Sequence, residues 1–186
     1  MATNSMSNLI AFTGLAQSGK STASAYLENT YGFKRVNFKS AMIEEITRTM
    51  PDFLAKEAEI HSCSVDDLFA VKPGSFRQFL QNYGTDLRRR ENNDYWVNQW
   101  LIKANQIFSE TQNGIVVDDV RFINEAEMVK RAGGIIIRII KEGQENTMSH
   151  ASETEMSSIV PDFTITVAPG DVETLCNKVE EIYART

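Results

Sequence analysis

The stretch Leu9-Ile10-Ala11-Phe12-Thr13-Gly14-Leu15-Ala16-Gln17-Ser18-Gly19-Lys20-Ser21-Thr22 decides the fold. Its first five residues are a short apolar run, the pattern of a buried strand. Residues 14–21 then fit G-x-x-x-x-G-K-[ST] at every position. Residues 21–29 follow as a helix, with Ala23, Tyr26 and Leu27 on one side. Strand, glycine loop and helix in this order predict a phosphate-binding loop. The glycines let successive backbone N–H groups point at phosphate oxygens, and the helix adds its positive end. Lys20 supplies a compact charge for the β- and γ-phosphates, and Ser21 a hydroxyl for Mg²⁺. Gly14, Ala16, Ser18, Gly19, Lys20, Ser21 and Thr22 are the candidate contacts to a nucleoside triphosphate, ATP.

Working outward, residues 33–38 alternate as a strand, and 41–50 read as a helix ended by Pro51. Residues 52–72 are mixed in pattern and fit one or two short helices. Pro73 and Gly74 punctuate the chain, and Ser75 is a plausible N-cap for a helix running through Arg89. A second long helix spans about 93–108. Residues 115–117, 135–140 and 163–167 are apolar strands, while 123–131, closed by Gly133-Gly134, and 172–183 are helices. Strands alternating with helices predict an α/β three-layer sandwich: about five parallel strands covered on both faces. The 186 residues suit a single domain, 1–186. Within it, 1–7 reads as a loose tail, 41–110 as a helical acceptor-binding insert and 142–158 as a short lid-like segment.

Composition narrows the partners. The net charge of −6 disfavours a duplex nucleic acid, which calls for a broad basic face; Arg88-Arg89-Arg90 is only a local cluster. Two cysteines and two histidines make neither a disulfide framework nor a zinc site. No secretory signal or membrane-length apolar run is present, so the expected location is cytoplasmic, with no membrane partner. Apolar residues along 93–108 leave room for a homodimer.

An acidic group is expected near Mg²⁺ at the end of an apolar strand. Asp118 and Asp119 follow Ile115-Val116-Val117 at that place, and either can serve the metal, the acceptor or a helix N-cap. Arg121 and Glu125, four apart, fit a surface ion pair or a site pair. Along 75–89, Phe76, Phe79, Leu80, Tyr83 and Leu87 mark an apolar face. Arg77, Gln81, Gly84 and Thr85 fall elsewhere, as a solvated face or as groups for a phosphate and a base edge. A glycine inside a helix points to close approach of a ligand or a backbone. Trp96 fits either base stacking or the core beside Trp100. Arg138, Lys141, His150 and Glu153 flank the lid-like segment, as cations over a transferring phosphoryl group or as a solvated loop.

Four segments together resemble the deoxynucleoside monophosphate kinases of tailed bacteriophages. They are residues 14–22, Arg77-Gln78-Phe79-Leu80-Gln81-Asn82-Tyr83-Gly84-Thr85, Val116-Val117-Asp118-Asp119-Val120-Arg121-Phe122-Ile123-Asn124-Glu125, and His150-Ala151-Ser152-Glu153. The resemblance implies a P-loop kinase fold and transfer of the γ-phosphoryl of ATP to a dNMP. By position it implies that Arg77, Gln81, Gly84 and Thr85 bind the acceptor with Trp96 against it. It further implies that Asp119, Arg121 and Glu125 complete the acceptor site; Lys20, Arg121 and Asp119 are the candidate catalytic residues. Ser21 and Asp118 are the expected Mg²⁺ ligands. Two rival readings keep the loop: another small-molecule kinase, such as one acting on dephospho-coenzyme A, and an NTPase switch or binding module.

Overall fold

The computed structural model describes residues 6, 8–111, 113–144 and 151–186. Five strands form one wholly parallel sheet: β1 (Leu9–Thr13), β2 (Lys34–Arg35), β3 (Ile115–Val117), β4 (Ile135–Lys141) and β5 (Phe163–Val167). Their order is β2-β3-β1-β4-β5. β1 is central, with Leu9 opposite Ile115 on one edge and Ile10 opposite Ile135 on the other. All five of its residues are buried, as a strand covered on both faces requires. The chain fills one side with β2 and β3 before crossing to β4, so the loop after β1 lies where the strand order reverses.

The helices are α1 (Lys20–Tyr31), α2 (Phe38–Thr49), α3 (Pro51–Ile60), α4 (Val65–Val71), α5 (Gly74–Gln81), a π-helix (Asn82–Arg88), α6 (Arg89–Glu91), α7 (Tyr95–Thr111), α8 (Ile123–Arg131), α9 (Ala151–Ser158) and α10 (Val172–Tyr183). Among the described residues, none is long and apolar enough to cross a membrane. The chain divides into two compact units, Met1–Phe38 with Trp100–Thr186, and Lys39–Gln99. The first holds the sheet, and its core joins Phe12, Leu27 and Phe33 to Ile137, Ile165 and Val179. The second is helical, with a core of Ile46, Leu54, Leu68, Phe76, Leu80, Tyr83 and Trp96.

Three expectations need correction. The strand expected over 33–38 is only two residues long. It lies at the sheet edge against the three-residue β3, and the ladder ends as Val36 N donates to Val116 O at 3.0 Å. Beyond it, Asn37 turns to Asp118 and Phe38 opens α2 three residues ahead of expectation, its amide donating to Asp119 Oδ1 at 3.0 Å. The helix expected from Ser75 through Arg89 begins at Gly74 and changes to π geometry at Asn82. The extra residue per turn carries Leu87 off the apolar face, where it is 46% exposed. In the supposed loose tail, Met6 is buried and its amide donates to Ala132 O at 2.8 Å.

Trp100 is fully buried in the sheet unit, stacked on Phe38, and its indole N–H donates to Val36 O at 2.8 Å. Trp100→Phe keeps a ring but removes that donor. Urea unfolding followed by circular dichroism is expected to show a loss of about 1–3 kcal/mol.

Candidate functional site

The glycine loop has the conformation its sequence demands. Gly14 adopts φ 141°, and a Cβ there would run into the Ile139 carbonyl of the neighbouring strand. Gln17 and Gly19 also have positive φ, so the chain curls back before entering α1. Gly19 is the N-cap of α1 and provides no capping side chain. The first amides of α1 therefore receive no cap from the N-cap side chain, and the helix dipole lies behind them. Ser18 is buried, and among the described residues its hydroxyl oxygen has no hydrogen-bond partner. Lys20 folds over the loop and donates to Gly14 O at 2.7 Å and Leu15 O at 2.6 Å. Ala16, Ser21 and Thr22 are exposed. A loop of this form, with a cation held beside it, is suited to an anion.

A cavity of about 160 Å³ adjoins the loop, lined by Gly14, Leu15, Arg138, Ile139, Lys141 and Met156 among others. Gln144 donates to Ala16 O at 2.6 Å. Arg138, expected as a lid cation, instead donates to Met156 O at 3.0 Å and Ile159 O at 2.6 Å. It satisfies carbonyls at and beyond the C-terminal turn of α9, where a helix leaves them unpaired. Glu153 falls within α9, and His150 lies outside the described residues.

The two aspartates after β3 have separate tasks. Asp118 is buried, with Oδ1 accepting from Asn37 Nδ2 at 2.7 Å and Oδ2 from Arg35 Nη1 at 3.0 Å. Its amide donates back to Asn37 Oδ1 at 3.0 Å. Arg35 also pairs with Glu28 of α1. The Asp118 carboxylate is thus committed on both oxygens to protein donors, which sets it apart from an open metal ligand. Asp119 is half-buried and receives the Phe38 amide. Arg121 is exposed. Glu125 is buried at 3% exposure and accepts from the backbone N–H of Arg121 at 2.9 Å and of Phe122 at 3.1 Å. Its carboxylate thereby satisfies amides at the start of α8.

In the helical unit, Arg77 is exposed and Gln81 partly buried, while Gly84 and Thr85 lie in the π-helix. Gly84 is close to a side chain: a Cβ there would come 2.9 Å from Met42 Sδ. Its carbonyl accepts from Trp96 Nε1 at 2.9 Å. Trp96 is 4% exposed among Tyr83 and Tyr95, so its ring is core and not an open stacking platform.

Sequence reading passed over Arg35, Asn37 and Glu45. Arg35 and Asn37 end an edge strand at the sheet's C-terminal side, the place where α/β sheets bind ligands, and that position was the available signal. Glu45 of α2 sits beside the core residue Ile46 and is 8% exposed. It accepts from Tyr83 Oη at 2.5 Å, from Arg88 Nε at 2.8 Å and from the Tyr95 hydroxyl. Burial pushes its carboxyl up, but the bonds from Tyr83, Tyr95 and Arg88 outweigh burial and hold it below the ordinary value of 4.5.

Two outcomes are expected. Asp118→Ala leaves Arg35 Nη1 and Asn37 Nδ2 without the acceptor they share, and denaturant unfolding should show a loss of about 3 kcal/mol. Glu45 has a folded pKa below its unfolded one. Its stabilisation is complete above pH 4.5 and disappears as pH falls through the lower folded value. Unfolding free energies measured from pH 7 to pH 3 should therefore fall more steeply for the wild type than for Glu45→Gln.

Comparison with known proteins gives the family. The family model for deoxynucleotide monophosphate kinase matches residues 55–179. A protein of Acanthamoeba polyphaga mimivirus, provisionally named deoxynucleotide monophosphate kinase, is 31% identical over 170 residues, covering 81% of this chain and 83% of its own. The deoxynucleotide monophosphate kinase of Escherichia phage RB69 is 28% identical over 109 residues, 58% of this chain but 44% of that protein. The crystal structure of TT1252 from Thermus thermophilus superimposes with a TM-score of 0.54 at 15% identity, covering 96% and 97% of the two chains, a likeness of fold. This chain belongs to the deoxynucleotide monophosphate kinase family and is a nucleotide kinase.

Proposed function

We propose that the protein transfers the γ-phosphoryl group of ATP to a deoxynucleoside monophosphate, forming ADP and the deoxynucleoside diphosphate. The observation that carries this reading is the anion cradle after β1. It combines a helix start whose N-cap is a glycine, a buried Ser18 hydroxyl with no partner among the described residues, and Lys20 folded over the loop. A triphosphate would satisfy all three. Its oxygens are better acceptors for an ammonium than the neutral carbonyls of Gly14 and Leu15.

The acceptor phosphate is already anionic near neutral pH, so attack on the γ-phosphorus needs no strong base. An acceptor oxygen forms the new P–O bond as the bond to the β-phosphate oxygen breaks and ADP departs. The chain's work is then orientation and charge. Lys20 offsets negative charge on the β- and γ-phosphates, and Arg121 is the second cation of the reading. The donor groups are Gly14, Ala16, Ser18, Gly19, Lys20, Ser21 and Thr22. The acceptor groups are Arg77, Gln81, Gly84 and Thr85 in the helical unit, and Asp119, Arg121 and Glu125 in the sheet unit. Trp96 supports the acceptor segment through Gly84 O.

The exposed hydroxyl of Ser21, a hard oxygen donor at the mouth of the cradle, fits Mg²⁺. Asp118, bonded to Arg35 and Asn37, fits a role behind the ion better than one as its ligand. When bound, Mg²⁺ supplies neutralisation of charge across the phosphate oxygens.

ADP formation from Mg·ATP, measured with each common dNMP and NMP in turn, tests the reading. dNMPs should stimulate it well above background. Lys20→Ala should lower the stimulated rate by at least about a hundredfold with an unchanged circular dichroism spectrum. Full activity in that variant removes Lys20 from the mechanism, and no stimulation by any nucleotide removes the acceptor assignment.

A further inference from the structure

The helical unit buries a carboxylate that the loop chemistry does not use. Glu45 Oε1 accepts from both Tyr83 and Arg88, and its other oxygen takes the Tyr95 hydroxyl. Arg88 also lies over two aromatic rings, 5.6 Å from the Tyr83 centroid and 5.3 Å from that of Tyr95. Tyr83 and Arg88 are five residues apart, at opposite ends of the π-helix Asn82–Arg88. In an α-helix with 3.6 residues per turn, positions five apart point about 140° away from each other. With i→i+5 hydrogen bonding they come to the same side of the helix. The π turn therefore brings both side chains to one carboxylate oxygen, whereas an α turn would point them apart.

A second tie acts in the middle of the same turn, where Trp96 Nε1 donates to Gly84 O at 2.9 Å. Met42 Sδ occupies the space a side chain at Gly84 would need. Relaxation of the turn to α geometry would rotate everything after Gln81. Leu87 would move toward the core side, and Arg88 would leave Glu45.

We propose that Glu45 is a positioning residue for acceptor binding, which fixes the π register through Tyr83 and Arg88 and so sets how the segment carrying Gln81, Gly84 and Thr85 meets the monophosphate. This rests on the reading of that segment as the acceptor-binding one. Glu45 itself touches no reacting atom; it acts through the turn.

Glu45→Gln keeps the shape and removes the charge that holds Arg88. Two readouts test it. The first is a split in steady-state constants: KM for the dNMP should rise about tenfold while KM for ATP stays within about twofold. The second is the indole N–H resonance of Trp96, assigned by its loss in Trp96→Phe, which reports the bond to Gly84 O without any turnover. It should shift in Glu45→Gln. Tyr83→Phe removes one hydroxyl at one end of the turn and leaves the ring in the core. It should raise the dNMP KM by about threefold and move the same resonance, which keeps the test available if Glu45→Gln does not fold. An unmoved Trp96 resonance in the folded variants overturns the hold on register, whether or not the enzyme turns over. A shifted resonance with unchanged dNMP KM, or with both KM values raised alike, overturns the link to the acceptor. If wild-type protein transfers to no monophosphate, the acceptor reading itself fails, and the link to acceptor binding falls with it.

Discussion

Strand β1 has no side on which water can reach it. Its backbone is paired to β3 on one edge and β4 on the other, and all five side chains are buried. A chain so enclosed leaves the sheet in one direction only, at Thr13, whose hydroxyl donates to Val120 O at 3.0 Å. Everything that follows inherits that fixed origin. The glycine loop must turn beside Ile139, because β4 is the next strand, and α1 must start where the loop ends. The phosphate cradle is thus a consequence of burial in the sheet centre, and its rigidity is borrowed from the core. A site built on a rigid strand end loses little order when a ligand arrives.

The same economy of position explains the aspartates. Backbone at the sheet's C-terminal edge runs out of ladder partners, and each unpaired amide has to be satisfied. Asp118 and Asn37 exchange bonds across the ends of β3 and β2, and Asp119 takes the first amide of α2. Arg35 then ties that corner to α1 through Glu28. The acidic pair that looks from sequence like a metal site is, in the fold, largely the fastening of residues 35–38 to the end of β3. The Asp118 and Glu28 carboxylates together neutralise Arg35 at that corner.

How much of this was legible beforehand follows from the range of the interactions. β1, β3, β5, α8 and α10 follow from local apolar pattern and turn chemistry, and they fall within a residue of the expected limits. The loop is legible because its function is written in contiguous residues. β2 was read too long because pattern shows where a strand can form, while pairing shows where it ends, and β3 offers only three residues. Glu125 read as a site partner of Arg121, yet its carboxylate closes the amides of residues 121 and 122. Spacing alone cannot tell a side-chain target from a backbone one.

The π-helix was the least legible element, and the reason is instructive. Residues 75–83 carry a faithful 3.6-residue pattern, and Leu87 extends it by one further turn. What breaks the pattern is Glu45, some forty positions upstream, whose charge competes for Arg88. A buried ion pair adds little net stability, since desolvating both charges offsets most of their attraction. It does discriminate sharply between arrangements, because an arrangement that separates the partners leaves a charge buried alone. In this unit the alternative arrangement is one residue of helical register away. An apolar residue at position 45 would fill the same space and serve either register. The carboxylate, with Tyr83 and Arg88 on one oxygen, is compatible with one of them.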